Sequence, residues 1–118
     1  MPAPGVEGQL FDIEAELVVE GAEELGLVIR GQEVIYRVED EQLIFDTNRA
    51  PLKAVDGRIS LRCIVDRTSI EILANGGRVY MPCRLRADDD DKSLALFARG
   101  GAARAASIQV RELKSIWE

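Results

Sequence analysis

The chain has 118 residues, 47% hydrophobic and 31% charged, which suits one folded domain with its own core and marks the chain as globular rather than disordered. Its net charge of −6, with both signs interspersed and no Lys/Arg block, argues against nucleic-acid and anionic-membrane partners, since phosphate contacts need a positive footprint. Histidine is absent, which removes the commonest general base, the Ser-His-Asp and Cys-His nucleophile systems and most zinc sites.

Residues 1–8, "MPAPGVEG", read as a flexible lead-in to a single domain over 9–118. The lead-in has the look of a cut or re-initiated start, and it lacks the basic region and apolar run of a signal peptide. No apolar run approaches the ~20 residues of a spanning helix. "QLFDIEAELVVE" follows, with Phe11, Ile13, Ala15, Leu17 and Val19 alternating with Asp12, Glu14 and Glu16. A helix competes there, because Glu, Ala and Leu are good helix formers. Period two fits more positions and predicts a strand with one buried and one wet face.

Leu25, Leu27 and Ile29 alternate next, then Val34, Tyr36 and Val38 beyond a turn at Gly31, then Leu43 and Phe45. "TNRAPLKAVDG" reads as a loop punctuated by Pro51 and Gly57. Residues 58–86 read as a three-strand antiparallel meander. Ile59, Leu61, Cys63 and Val65 point inward on its first strand, and Ile70 and Ile72 on its second. Asn75-Gly76 is a strong hairpin signal, because a type I′ turn needs positive φ at both central residues. Pro82 marks the third strand as an edge or a bulge. Cys63 and Cys83 then lie two strand spacings apart, roughly 10 Å, too far for a disulfide, and both are expected as free thiols.

"ADDDDKS" reads as a polar loop, "LALFA" as a short strand, "RGGAARAA" as a turn and "SIQVRELKSIW" as a last strand. Phe11, Phe45 and Phe97 are assigned to the core. About ten short strands with frequent turn signals predict an all-β, two-sheet antiparallel sandwich of jelly-roll or concanavalin-like type.

Asp66 and Glu71 are the conspicuous carboxylates. A glycosidase pair needs two carboxyls at a set spacing and one raised pKa. Glu71 lies between Ile70 and Ile72, so it faces away from the core, and Arg62 and Arg67 stand close enough in sequence to neutralise either acid. The structural reading is preferred: Asp66 shapes a turn by accepting from backbone N–H groups of Thr68 or Ser69. Asp88 to Asp91 offer oxygen ligands for calcium but lack EF-hand spacing, so a solvated loop is expected, with no metal or cofactor. One Trp and two Tyr supply few stacking platforms for a sugar.

The segments "GLVIRG", "LRCIVDRTSIEIL", "NGGRVYM", "LALFARGG" and "ELKSIW", in that order and spacing, resemble the C-terminal β-sandwich module of glycoside hydrolase family 32. Its members are the invertases, levanases and inulinases that cleave fructosyl bonds. The family usually has an aromatic where this chain has Leu73, and its members carry a five-bladed propeller before this module. The resemblance places catalysis in that propeller, on a Trp-x-Asn-Asp-Pro aspartate, an Arg-Asp-Pro aspartate and a Glu-Cys glutamate. The chain contains no Asp-Pro and no Glu-Cys, so no catalytic residue carries over.

The resemblance thus implies a non-catalytic accessory module of a fructan- or sucrose-cleaving hydrolase, partnered by the catalytic propeller, with self-association through the propeller-facing patch as a corollary. An apolar patch is expected where the propeller would sit. The alternative is an independent, lectin-like glycan-binding module. Candidate contacts to glycan or propeller are Tyr36, Asp66, Arg67, Glu71, Tyr80 and Trp117. The resemblance suggests a secreted or periplasmic parent, with a cytoplasmic one also open.

Overall fold

A computed structural model describes residues 10–66, 68–86 and 93–113. Ten strands follow in chain order: β1 (Leu10–Val19), β2 (Glu24–Ile29), β3 (Gln32–Arg37), β4 (Gln42–Phe45), β5 (Asn48–Pro51), β6 (Arg58–Val65), β7 (Ser69–Ala74), β8 (Val79–Arg84), β9 (Leu94–Arg99) and β10 (Ala103–Leu113). They form two five-stranded antiparallel sheets. Sheet A has the order β10-β1-β6-β7-β8 and sheet B the order β5-β4-β3-β2-β9. This is the expected two-sheet sandwich.

Alternation builds the core between the sheets. Ile13, Ala15 and Leu17 of β1 pack with Ile59, Leu61, Cys63 and Val65 of β6 and with Ile70 and Ile72 of β7. Leu25, Leu27, Ile29, Val34, Leu43 and Phe45 face them from sheet B. Each fully buried aliphatic or aromatic side chain contributes about 1.5–3 kcal/mol.

The meander of β6, β7 and β8 is as expected, and Pro82 lies on its outer strand, where a missing N–H costs no ladder bond. Cys63 and Cys83 are both free. Asn75 (φ 50°) and Gly76 (φ 72°) both adopt positive φ, and the Gly77 N–H donates to the Ala74 carbonyl at 3.2 Å. The turn has the expected hand, but the hairpin pairs at Ala74–Val79, so four residues form its loop. The Asn75 side chain fastens that loop, accepting from the Ser60 N–H at 2.9 Å and donating to the Lys53 carbonyl at 2.8 Å.

Several expectations need correction. Residues 48–51, read as loop, form β5 against β4, with Pro51 at the edge of the sheet. Its side chains are mostly exposed, so no apolar alternation advertised it. The last strand begins at Ala103 and not at Ser107, because small alanines suffice opposite Val19 and Leu17. A register shift opposite Glu16 and Leu17 leaves Ala106 as the extra residue of a bulge. Asp12, assigned to the wet face, is only 4% exposed. Phe97 is half-buried on the outer face of sheet B and not in the core; it pairs with Gly26, and the Arg99 guanidinium lies 4.6 Å from its ring centroid. Phe11 is half-buried at the core's margin, while Phe45 is fully inside. The acidic run Asp88 to Asp91 lies outside the described residues.

Candidate functional surfaces

The six candidate residues do not converge. Tyr36 is a core residue, only 1% exposed, whose hydroxyl donates to the Leu52 carbonyl at 2.9 Å. Its alternation with Val34 placed it correctly on β3, but that face is the buried one. Burial pushes its pKa up. Arg67 and Trp117 lie outside the described residues. Asp66 is exposed at the end of β6, where its N–H donates to the Ser69 carbonyl at 2.8 Å and its carbonyl accepts from Arg30 at 3.3 Å. Backbone bonding thus closes the β6–β7 turn.

Glu71 and Tyr80 do meet. They project from the outer face of sheet A, and the Tyr80 hydroxyl donates to the Glu71 carboxylate at 3.2 Å. Tyr80 is 57% exposed, the most of any large hydrophobic side chain among the described residues. Partial burial, then the Glu71 carboxylate, push its pKa up. Glu71 lies opposite Ile64 on β6, so it is diagonal to Asp66 and not paired with it.

Arg62, read as a neutraliser of Asp66 or Glu71, instead grips Asp12 through two hydrogen bonds of 3.0 and 2.7 Å. Arg111 of β10 approaches the same carboxylate at 3.7 Å. The Arg62 hydrogen bonds hold the Asp12 pKa low against the opposing effect of burial, with the positive charges of Arg62 and Arg111 adding to the depression. One carboxylate therefore ties β10, β1 and β6 together across the outer face.

That face carries a groove of about 560 Å³ bordered by Glu14, Glu16, Ser60, Arg62, Leu73 and Gln109, with Gly76 and Gly77 at one rim. Neither Asp66 nor Glu71 lines it. Its residues escaped the sequence reading because they come from four strands and a loop, and register alone brings them together.

The second surface lies where β9 and β10 end the two sheets. Leu94 (38% exposed), Ile108 (42%) and Val110 (48%) present apolar side chains there. Between the sheets, Phe11, Ile13, Ile29, Val65, Leu94 and Val110 line an apolar slot of about 80 Å³, with Arg30 and Ser93 at its border. The alternation of Ile108 and Val110 was visible in the sequence and signalled burial that this chain leaves unfinished.

Comparison with known proteins places this fold. The family model "Glycosyl hydrolases family 32 C terminal" matches residues 2–112. The chain is 29% identical to a levanase of Bacillus subtilis (strain 168), over 96% of its own length and 20% of the levanase. It thus spans about a fifth of that relative. The fold is similar to that of the exo-inulinase of Aspergillus awamori, at a TM-score of 0.74 and 19% identity, over 92% of this chain and 26% of that one. A GH43 protein of Bacillus licheniformis, BlXynB, is similar at a TM-score of 0.59 and 12% identity, over 89% and 28% of the two chains. These two likenesses show the fold alone. With the family model matched along nearly the whole chain, the protein belongs to the C-terminal domain family of the family 32 glycosyl hydrolases.

Proposed function

We propose that the chain is a non-catalytic accessory module that packs against a catalytic domain acting on fructans or sucrose and supports its fold. The observation that carries this is the unfinished β9/β10 edge. Three of the five exposed large hydrophobic side chains among the described residues cluster there, beside an apolar slot that opens into the core. Durable interfaces between domains resemble a core cut in half, and this edge has that character. The levanase relative suggests the class of substrate for the partner domain. The missing Asp-Pro and Glu-Cys motifs support a role without chemistry of its own.

The test is association in trans. The chain is mixed with a levanase catalytic domain freed of its own C-terminal module. Co-elution and a raised Tm of the catalytic domain are expected, both lost with Val110→Asp. The chain alone should release no fructose from levan or inulin. Fructose release by the chain alone, abolished by Glu71→Gln, would overturn the reading, as would failure to associate. The exposed Tyr80 favours a second role for the module, binding of a glycan at a separate face.

A further inference from the structure

We propose that the outer face of sheet A is a binding platform for a neutral oligosaccharide chain, running across the strands from Gln109 to Tyr80. The registers place Gln109, Glu14, Arg62, Leu73 and Tyr80 directly beside one another on β10, β1, β6, β7 and β8. Four strand spacings of ~4.8 Å give this row a length of roughly 19 Å. The groove follows the row from Gln109 to Leu73, with Tyr80 on the next strand beyond its lining, and its 560 Å³ falls within the ~300–1,000 Å³ usual for small-ligand sites. Ser60 and Ser107 flank it on the next row, opposite Glu16.

Charge selects the ligand class. Along the groove, Arg58, Arg62 and Arg111 are paired with Glu16, Asp12 and Glu14, and the Glu71 carboxylate beyond it accepts from Tyr80. These pairs cancel along the groove, which favours a neutral ligand there over a strongly charged one. What it offers is hydroxyl, amide and carboxylate groups able to exchange hydrogen bonds with a polyol.

Tyr80 ends the row and supplies the apolar contact. Its ring is exposed beside Leu73, and its hydroxyl is anchored by Glu71, so little rotamer freedom remains to be lost on binding. An aromatic ring with an anchored polar tip suits one wet, one apolar ligand face. The Gly76 and Gly77 rim carries no side chain that would block the approach.

This site shares no lining residue with the β9/β10 edge, so its failure would leave the docking role standing. The test is amide chemical-shift mapping of the isotope-labelled chain. The probes are short oligosaccharides of inulin and levan, maltohexaose and cellohexaose, each at millimolar concentration. Saturable shifts confined to Ser60, Arg62, Leu73, Tyr80, Ser107 and Gln109 are expected with at least one probe. Tyr80→Ala should weaken that binding at least tenfold with an unchanged melting temperature, Tyr80→Phe should retain most of it, and Val110→Asp should leave it intact. No shift with any probe, shifts confined to the β9/β10 edge, or binding indifferent to Tyr80→Ala would overturn the proposal.

Discussion

The two ends of this sandwich are built to different standards. At the β5/β8 end each outer strand contains a proline, Pro51 or Pro82, which removes a donor from the free edge. Just past each strand a leucine turns in: Leu52 and Leu85 are both 4% exposed. Their N–H groups are satisfied by the Glu41 and Thr68 carbonyls at 2.8 and 2.9 Å. At the β9/β10 end neither strand contains proline, and Leu94, Ile108 and Val110 stay in solvent. One end is closed by its own chain, while the other exposes apolar surface that a partner would bury. Protection against stray pairing is a stability matter at the first end and a binding matter at the second.

The largest expected contrast is in truncation cost. Leu52→Ala should lower unfolding free energy by ~2–5 kcal/mol, the usual cost of emptying a buried leucine site. Val110→Ala, already half in water, should cost about 0.5 kcal/mol or little more. Denaturant titration of both variants checks this. Equal costs would mean the β9/β10 end is as closed as the other.

Next is Gly26→Ala. Gly26 lies between Ile35 and Phe97, and a Cβ there would land on the Val34 carbonyl oxygen. Backbone must move to admit it, at about 1–3 kcal/mol. Since β2 is the only strand paired with β9 among the described residues, thermal melts of the variant should show loosening that hydrogen exchange places in β9 before β5.

A smaller effect concerns acid. Asp12 has a folded-state pKa below its ordinary 3.8, so its stabilisation is complete above that value and lost as pH falls through the lower folded one. Its ion pairs join β10 to β1 and β6. Hydrogen exchange in β10 should therefore accelerate below pH ~4, relative to β8. Asp12→Asn should flatten that dependence while β8 stays unchanged.

Near neutral pH the smallest expected effect is at the thiols. Burial, reinforced by the Asp12 charge, pushes the Cys63 pKa from 9.0 up to about 12. The unfolded thiol ionises first, so stability from this group is full below pH ~9 and lost between about 9 and about 12. Native Cys63 should resist an aromatic disulfide reagent at pH 8, while half-buried Cys83 reacts slowly. Labelling of Cys63 at the rate of Cys83 would contradict its placement.

Much of the fold was legible because two-residue alternation maps directly onto a strand's two faces. Ile59, Leu61, Cys63 and Val65 announced β6, and Pro82 announced an edge. Hydropathy failed where the partner decides the environment. Asp12 reads as a solvated acid, and only the approach of Arg62 from β6 and Arg111 from β10 covers it. Tyr36 reads as a surface aromatic or a core one equally well until sheet B is assembled. β5 carries no apolar pattern because an edge strand with exposed side chains needs none. The surfaces were less legible than the fold. Gln109, Glu14, Arg62, Leu73 and Tyr80 span residues 14 to 109, and their adjacency exists only in the sheet register. The apolar β9/β10 edge looked like ordinary core sequence, since alternation does not say whether the opposite sheet reaches far enough to cover it.

The most direct measurement is amide hydrogen exchange of the chain with and without a levanase catalytic domain lacking its own C-terminal module. Protection should rise in β9 and β10, over residues 94–98 and 105–111, and stay unchanged in β5 and β8. Protection gained at the β5/β8 end, or at neither end, would contradict the assignment of the open edge as the docking surface.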